Sequence, residues 1–94
     1  MKVFISQPMK GKTEEEIMAQ RTAAISTLGD NIEVIDTYFT DFNGNRLQFL
    51  AKSIMDGLAQ ADVALFVGDW QKYDGCRCEH FIAAQYGIPC MYRD

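Results

Sequence analysis

Two hydrophobic rhythms alternate along this chain. Unbroken or nearly unbroken apolar runs occur at Val3-Phe4-Ile5, Ile32 to Asp36, Asp62 to Val67 and Ile88 to Tyr92. Between them the apolar residues recur every three or four positions. The first rhythm predicts strands and the second helices, in the order β-α-β-α-β-α-β. The first helix is predicted over about Thr13 to Leu28, because Thr13 with Glu16 forms a capping-box pattern. Its inward stripe reads Ile17, Arg21, Ala24, Ile25, Leu28, so a guanidinium stands where an aliphatic side chain is expected and requires a partner or a path to water. The second helix, about Arg46 to Gln60, places Leu47, Leu50, Ala51, Ile54 and Leu58 on one face.

The run Asp62 to Val67 is apolar after its first residue, as in a central strand covered on both sides. A loop from Gly68 to Gly75 follows, then a helix from Cys76 to about Tyr86 stopped by Gly87, and a last strand with Pro89 near its start, which suits a sheet edge. Short connections and right-handed crossovers predict a flavodoxin-like (Rossmann-like) α/β domain with a four-stranded parallel sheet in the order 2-1-3-4 and helices on both faces. Such sheets bind ligands beyond the carboxyl ends of their strands, where the order reverses. Those ends carry Ser6 to Lys12, Thr37 and Tyr38, and Gly68 to Glu79, whereas Asp62 falls at the opposite edge.

Composition narrows the picture. A chain of 94 residues fits one domain, residues 1–94, and a core this small favours a pocket completed by a neighbouring subunit, so a homodimer or larger assembly is expected. A net charge of −4 without a basic patch argues against nucleic acid as a partner. No run is long and apolar enough for a membrane span or a signal peptide, so no membrane partner and a cytoplasmic location are expected. Three cysteines form no even-numbered disulfide framework and are expected as reduced thiols.

The candidate chemistry lies in two loops. Ser6, Gln7, Pro8, Met9, Lys10 and Gly11 form a strand-to-helix loop whose hydroxyl, amides and ammonium groups suit a phosphate or sugar hydroxyls, or an ordinary solvated turn. The loop matches neither dinucleotide-binding nor Walker patterns, and no cofactor is expected. Gly75-Cys76-Arg77-Cys78-Glu79-His80 opens the third helix. Glu79 there is either a carboxylate capping back onto Cys76 or a reactive group at the mouth of a cleft. Cys76, Cys78 and His80 lack the spacing of a metal site, and Cys78 is expected to pack inward with Phe81, Ile82 and Gln85. Asp69, Trp70 and Tyr73 stand where a pocket would be shaped, Trp70 serving either as a stacking surface or as a lid on the core, while the helical phase of Asp56 points it away from the buried stripe.

Several stretches together carry a resemblance: Ile-Ser-Gln-Pro-Met-Lys-Gly, then Ala-Asp-Val-x-x-x-x-Gly-Asp-Trp, then Gly-Cys-Arg-Cys-Glu-His with Ala83, Ala84, Tyr86 and Gly87. The chain resembles the nucleoside 2-deoxyribosyltransferase superfamily in its short bacterial and phage branch. The resemblance implies an enzyme of N-glycosidic bonds, hydrolase or deoxyribosyltransferase, acting on a nucleoside or nucleoside monophosphate. It places the nucleophile on Glu79, with Asp69 or Asp56 assisting departure of the base. It also implies sugar or phosphate contacts from the Ser6 to Lys12 loop, while Thr37, Tyr38, Gly68, Trp70, Tyr73 and Gly75 are expected to contact substrate from their place at the strand ends and in the loop before the third helix. Tyr73 stands where the family's nucleotide hydrolases tend to carry a phosphate-binding serine. A non-catalytic nucleotide-binding module is the alternative.

Overall fold

The structure, a computed structural model, describes residues 1–35 and 43–94. Its elements in chain order are β1 (Lys2–Ser6), α1 (Glu14–Ile25), β2 (Glu33–Ile35), α2 (Arg46–Asp56), a 3-10 turn (Leu58–Gln60), β3 (Val63–Val67), a second 3-10 turn (Trp70–Lys72), α3 (Asp74–Gln85) and β4 (Cys90–Arg93). The four strands form one parallel sheet in the order β2-β1-β3-β4, the flavodoxin-like arrangement, with Val3 opposite Val63 and Leu65 opposite Met91.

Side-chain alternation along the strands sorts the core into two layers. Val3, Ile5, Val63, Leu65 and Val67 face α1 through Ala24, whereas Phe4, Ala64 and Phe66 face Leu58 and, from α3, Ala83. Thr13 caps α1 with the reciprocal pair expected of it: its hydroxyl accepts from Glu16 N–H and Glu16 accepts from Thr13 N–H. Asn45 and Gln48 build the same device on α2. Arg21 is buried in the α1 stripe and donates through Nη2 to the carbonyl of Ile35, at the end of β2. Asp62 does sit at the amino edge, its carboxylate accepting from Lys2 N–H at 2.7 Å.

Three expectations are corrected. The second helix stops at Asp56 because Gly57 leaves helical geometry, and Leu58 is buried from a separate 3-10 turn. On α2 the buried position is Ser53, while Leu47 is 73% exposed and Ala51 is also exposed. On α3 the inward stripe is Cys76, Glu79 and Ala83, leaving Cys78, Phe81 and Gln85 exposed. The last two share a cause: α2 and α3 turn hydroxyl and carboxylate toward each other, so their apolar flanks rotate outward.

Leu65, fully buried at the centre of the sheet, is expected to cost about 2–5 kcal/mol when cut back to alanine. Loss of the α1 cap in Thr13→Ala is expected to cost ~1 kcal/mol. Urea midpoints for the two variants measure both and their order.

Candidate functional site

The fold brings the end of β1, the middle of α2 and the first turns of α3 to one place. The third helix begins at Asp74, two residues earlier than its sequence suggests, with extended Tyr73 at the cap position making no side-chain cap bond. Glu79 therefore stands in the second turn and does not cap Cys76. Its side chain is 7% exposed and engaged at both oxygens: Ser6 Oγ donates to Oε1 at 2.6 Å, and Ser53 Oγ donates to Oε2 at 2.7 Å. Burial pushes the Glu79 carboxyl above its ordinary value, and the two hydroxyls, which favour the anion, pull it back only in part.

Beside Glu79 lies a cavity of about 580 Å³, within the size range of small-molecule sites. Its floor is Ile5 to Lys10, one wall is Arg46, Leu47, Phe49, Leu50 and Ser53 of α2, and the other is Lys72 to Cys76 with Cys78 and Glu79. Leu47 and Leu50, expected to pack on the sheet, thus line this hollow. Arg46 spans the mouth to Asp74 at 3.3 Å, and Arg77 also pairs with Asp74; the two guanidinium groups hold that carboxyl below its usual range. Cys76 is a poor nucleophile on physical grounds, since burial raises its thiol to about 11 against the pull of the Ser6 hydroxyl. Gln7 is buried and ties the loop after β1 to α1, its Nε2 donating to the Ile17 carbonyl at 2.6 Å and to Gln20 at 3.1 Å.

Of the residues singled out from sequence, Glu79, Ser6, Gln7, Pro8, Met9, Lys10, Tyr73 and Gly75 meet around this one cavity. Asp56 does not: it is exposed on α2 and paired with Lys52 at 2.8 Å. Asp69 is exposed before the Trp70–Lys72 turn and lies outside the cavity wall, as does Gly11. Trp70 packs as a lid over Phe66, together with His80 and Tyr92, whose Nε2 and hydroxyl are 2.7 Å apart. This aromatic cluster borders a separate notch that includes Gly68. Gly68 has φ +66°, a left-handed backbone that favours glycine, and a Cβ there would meet the side-chain amide of Gln20. Thr37 and Tyr38 lie outside the described residues. Among the described residues no three His, Cys, Asp or Glu side chains stand close enough to hold a metal ion, and no helix is long and apolar enough to cross a membrane.

Sequence reasoning missed Ser53, Arg46, Phe49, Leu50 and Lys72. A signal for Ser53 exists: it interrupts the apolar face of α2 between Leu50 and Ile54, as Arg21 interrupts that of α1.

Because Glu79 titrates higher in the folded chain than in the unfolded one, the folded protein binds the extra proton between 4.5 and the raised value, and stability falls as pH climbs through that interval. Glu79→Gln removes this loss. The variant is expected to melt above the wild type near neutral pH, the difference closing as pH falls below about 4.5, as measured by thermal unfolding across that range.

No curated protein and no solved structure matches the chain. A family match does exist, and it covers residues 1–92, nearly the whole sequence and every residue that borders the cavity. The chain belongs to the family described as Domain of unknown function (DUF4406).

Proposed function

We propose that this protein is a cytosolic enzyme of N-glycosidic bonds, a hydrolase or deoxyribosyltransferase for a nucleoside or nucleoside monophosphate, with Glu79 as nucleophile. The chemistry is that of the nucleoside 2-deoxyribosyltransferase superfamily its motifs resemble. One observation carries the reading: a nearly buried carboxylate, held at both oxygens, forms part of the wall of a cavity large enough for a nucleoside. A glutamate with a purely structural task has no reason to border such a hollow.

In the reaction, one Glu79 oxygen bonds to C1′ as the C1′–N bond breaks, and the electron pair of that bond leaves with the base, which takes a proton from solvent water. The sugar remains as an ester of Glu79. Water attacking C1′ breaks the ester bond, restores the carboxylate and gives its proton back to solvent, completing hydrolysis; a nitrogen of a second base, losing its own proton to solvent, completes transfer. Met9, Phe49 and Leu50 give the cavity apolar surface for a base or the sugar face. Lys10, Arg46 and Lys72 border the same cavity and supply cationic groups suited to a 5′-phosphate, although Tyr73 occupies the position of a phosphate-binding serine in the resembled family. Leu47 lines the cavity yet is largely exposed, an apolar rim that a second copy of the chain would cover.

A second reading has its own support. The two aspartates expected to protonate the leaving base, Asp56 and Asp69, stand outside the cavity, and Asp74 is kept ionised by Arg46 and Arg77. A nucleotide-binding module without a proton donor fits that arrangement. Incubation with a panel of deoxynucleosides and their monophosphates, with chromatography of released base, separates the two. The enzyme releases base, and Glu79→Ala lowers the rate about a thousandfold or more. Calorimetric binding without release supports the module, and neither binding nor release overturns both.

A further inference from the structure

We infer that Ser53 is a positioning residue for Glu79: reaching across from α2, it acts with Ser6 of β1 to hold the two carboxylate oxygens in one orientation at the cavity wall. The inference rests on the proposed role of Glu79, but its geometry does not. The two O···O distances, 2.6 and 2.7 Å, are those of hydroxyls donating to an ionised acceptor. Both serines are buried, and Ser53 stands on the face of α2 that carries Leu50 and Phe49 toward the cavity, where an aliphatic residue would have packed at no polar cost. A hydroxyl at that position is explained by the carboxylate it meets. The other bond recorded between these helices, Arg46 to Asp74, is exposed and contributes little to fixing a buried group.

The clamp also selects a protonation state. An ionised carboxylate accepts from both serines, whereas a protonated one must donate from one oxygen, and one serine then has to turn round. Ser53 and Ser6 therefore oppose the effect of burial and favour the charged form of the carboxyl. The remaining ionisable groups facing the cavity are Lys10 after β1, Arg46 on α2, Lys72 and Tyr73 before α3, and Asp74, Cys76 and Cys78 on α3. Lys10, Arg46 and Lys72 border the cavity, but Ser6 and Ser53 are the side chains that hydrogen-bond the carboxylate.

The test is a titration of the Glu79 carboxyl carbon by NMR in the whole, ligand-free chain, assigned by its loss in Glu79→Gln. Ser53→Ala is expected to move the Glu79 midpoint to higher pH, and Ser53→Thr, which keeps the hydroxyl, to return it toward the wild-type position. Ser53→Cys, close in shape and a weak donor, gives the same upward displacement if Ser53→Ala folds poorly. In turnover assays, Ser53→Ala is expected to lower kcat about tenfold with KM little changed, and to shift the acid limb of the profile upward with the NMR midpoint. A serine that merely packs would alter the melting temperature and leave both midpoints in place; that result in a folded Ser53→Ala or Ser53→Cys overturns the inference. Absence of turnover by the wild type would overturn the proposed function alone, because the NMR midpoint reads the clamp without any substrate.

Discussion

The desolvation of one carboxylate governs the arrangement around it. Glu79 is buried on the inner side of α3, where an ion unaccompanied by donors would cost several kcal/mol or give up its charge. Two hydroxyls from elements distant in sequence, Ser6 at the end of β1 and Ser53 in the middle of α2, meet that cost in part. Their convergence requires β1, α2 and α3 to share one corner, and the strand order β2-β1-β3-β4 supplies it. The chain reverses direction across the sheet at β1, so α2 and α3 fall on the same face, opposite α1.

The cavity follows from the same contact. With Ser53 and Glu79 turned toward each other, Leu47, Phe49 and Leu50 of α2 line a hollow over the carboxyl end of β1. Further toward the amino ends of the strands the layer is closed by Leu58 and Ala83 against Phe4 and Ala64. One end of this layer is therefore packed while the other stays open. Polar side chains sit where the layer opens.

The sheet order and the positions of the helices were legible because they rest on local signals: apolar runs with two-residue alternation, capping residues at Thr13, and turn glycines. Glu79 and the loop from Ser6 to Lys10 were legible because strand ends mark ligand edges in parallel sheets. The helical phases of α2 and α3 were not. Periodicity assigns the most apolar face to the core, and that rule fails where a buried ion needs donors, which put Ser53 inside and left Leu47 and Phe81 exposed. Asp56 and Asp69 drew attention as carboxylates near the right elements; helical phase already turned Asp56 away from the stripe, as it is found, whereas the direction of Asp69, in a loop, has no periodic signal. Trp70 was open between ligand and lid, and the ring contacts with Phe66, His80 and Tyr92 account for it as a lid.

The distribution of buried polarity argues further. Among the described residues the buried polar side chains are Ser6, Gln7, Arg21, Ser53 and Glu79. In a domain of 94 residues each is a stability cost that an aliphatic residue would avoid, so a chain under selection for folding alone would scatter few of them and cluster none. Here Ser6 and Gln7 end β1, Arg21 reaches the carbonyl that ends β2, and Ser53 with Glu79 completes the group. Gln7 and Arg21 pin the carboxyl ends of β1 and β2 to α1, while the two serines hold the carboxylate. All five therefore stiffen the one edge where the sheet order reverses. That concentration, at the edge where the topology already favours a ligand, supports the role proposed for the buried carboxylate.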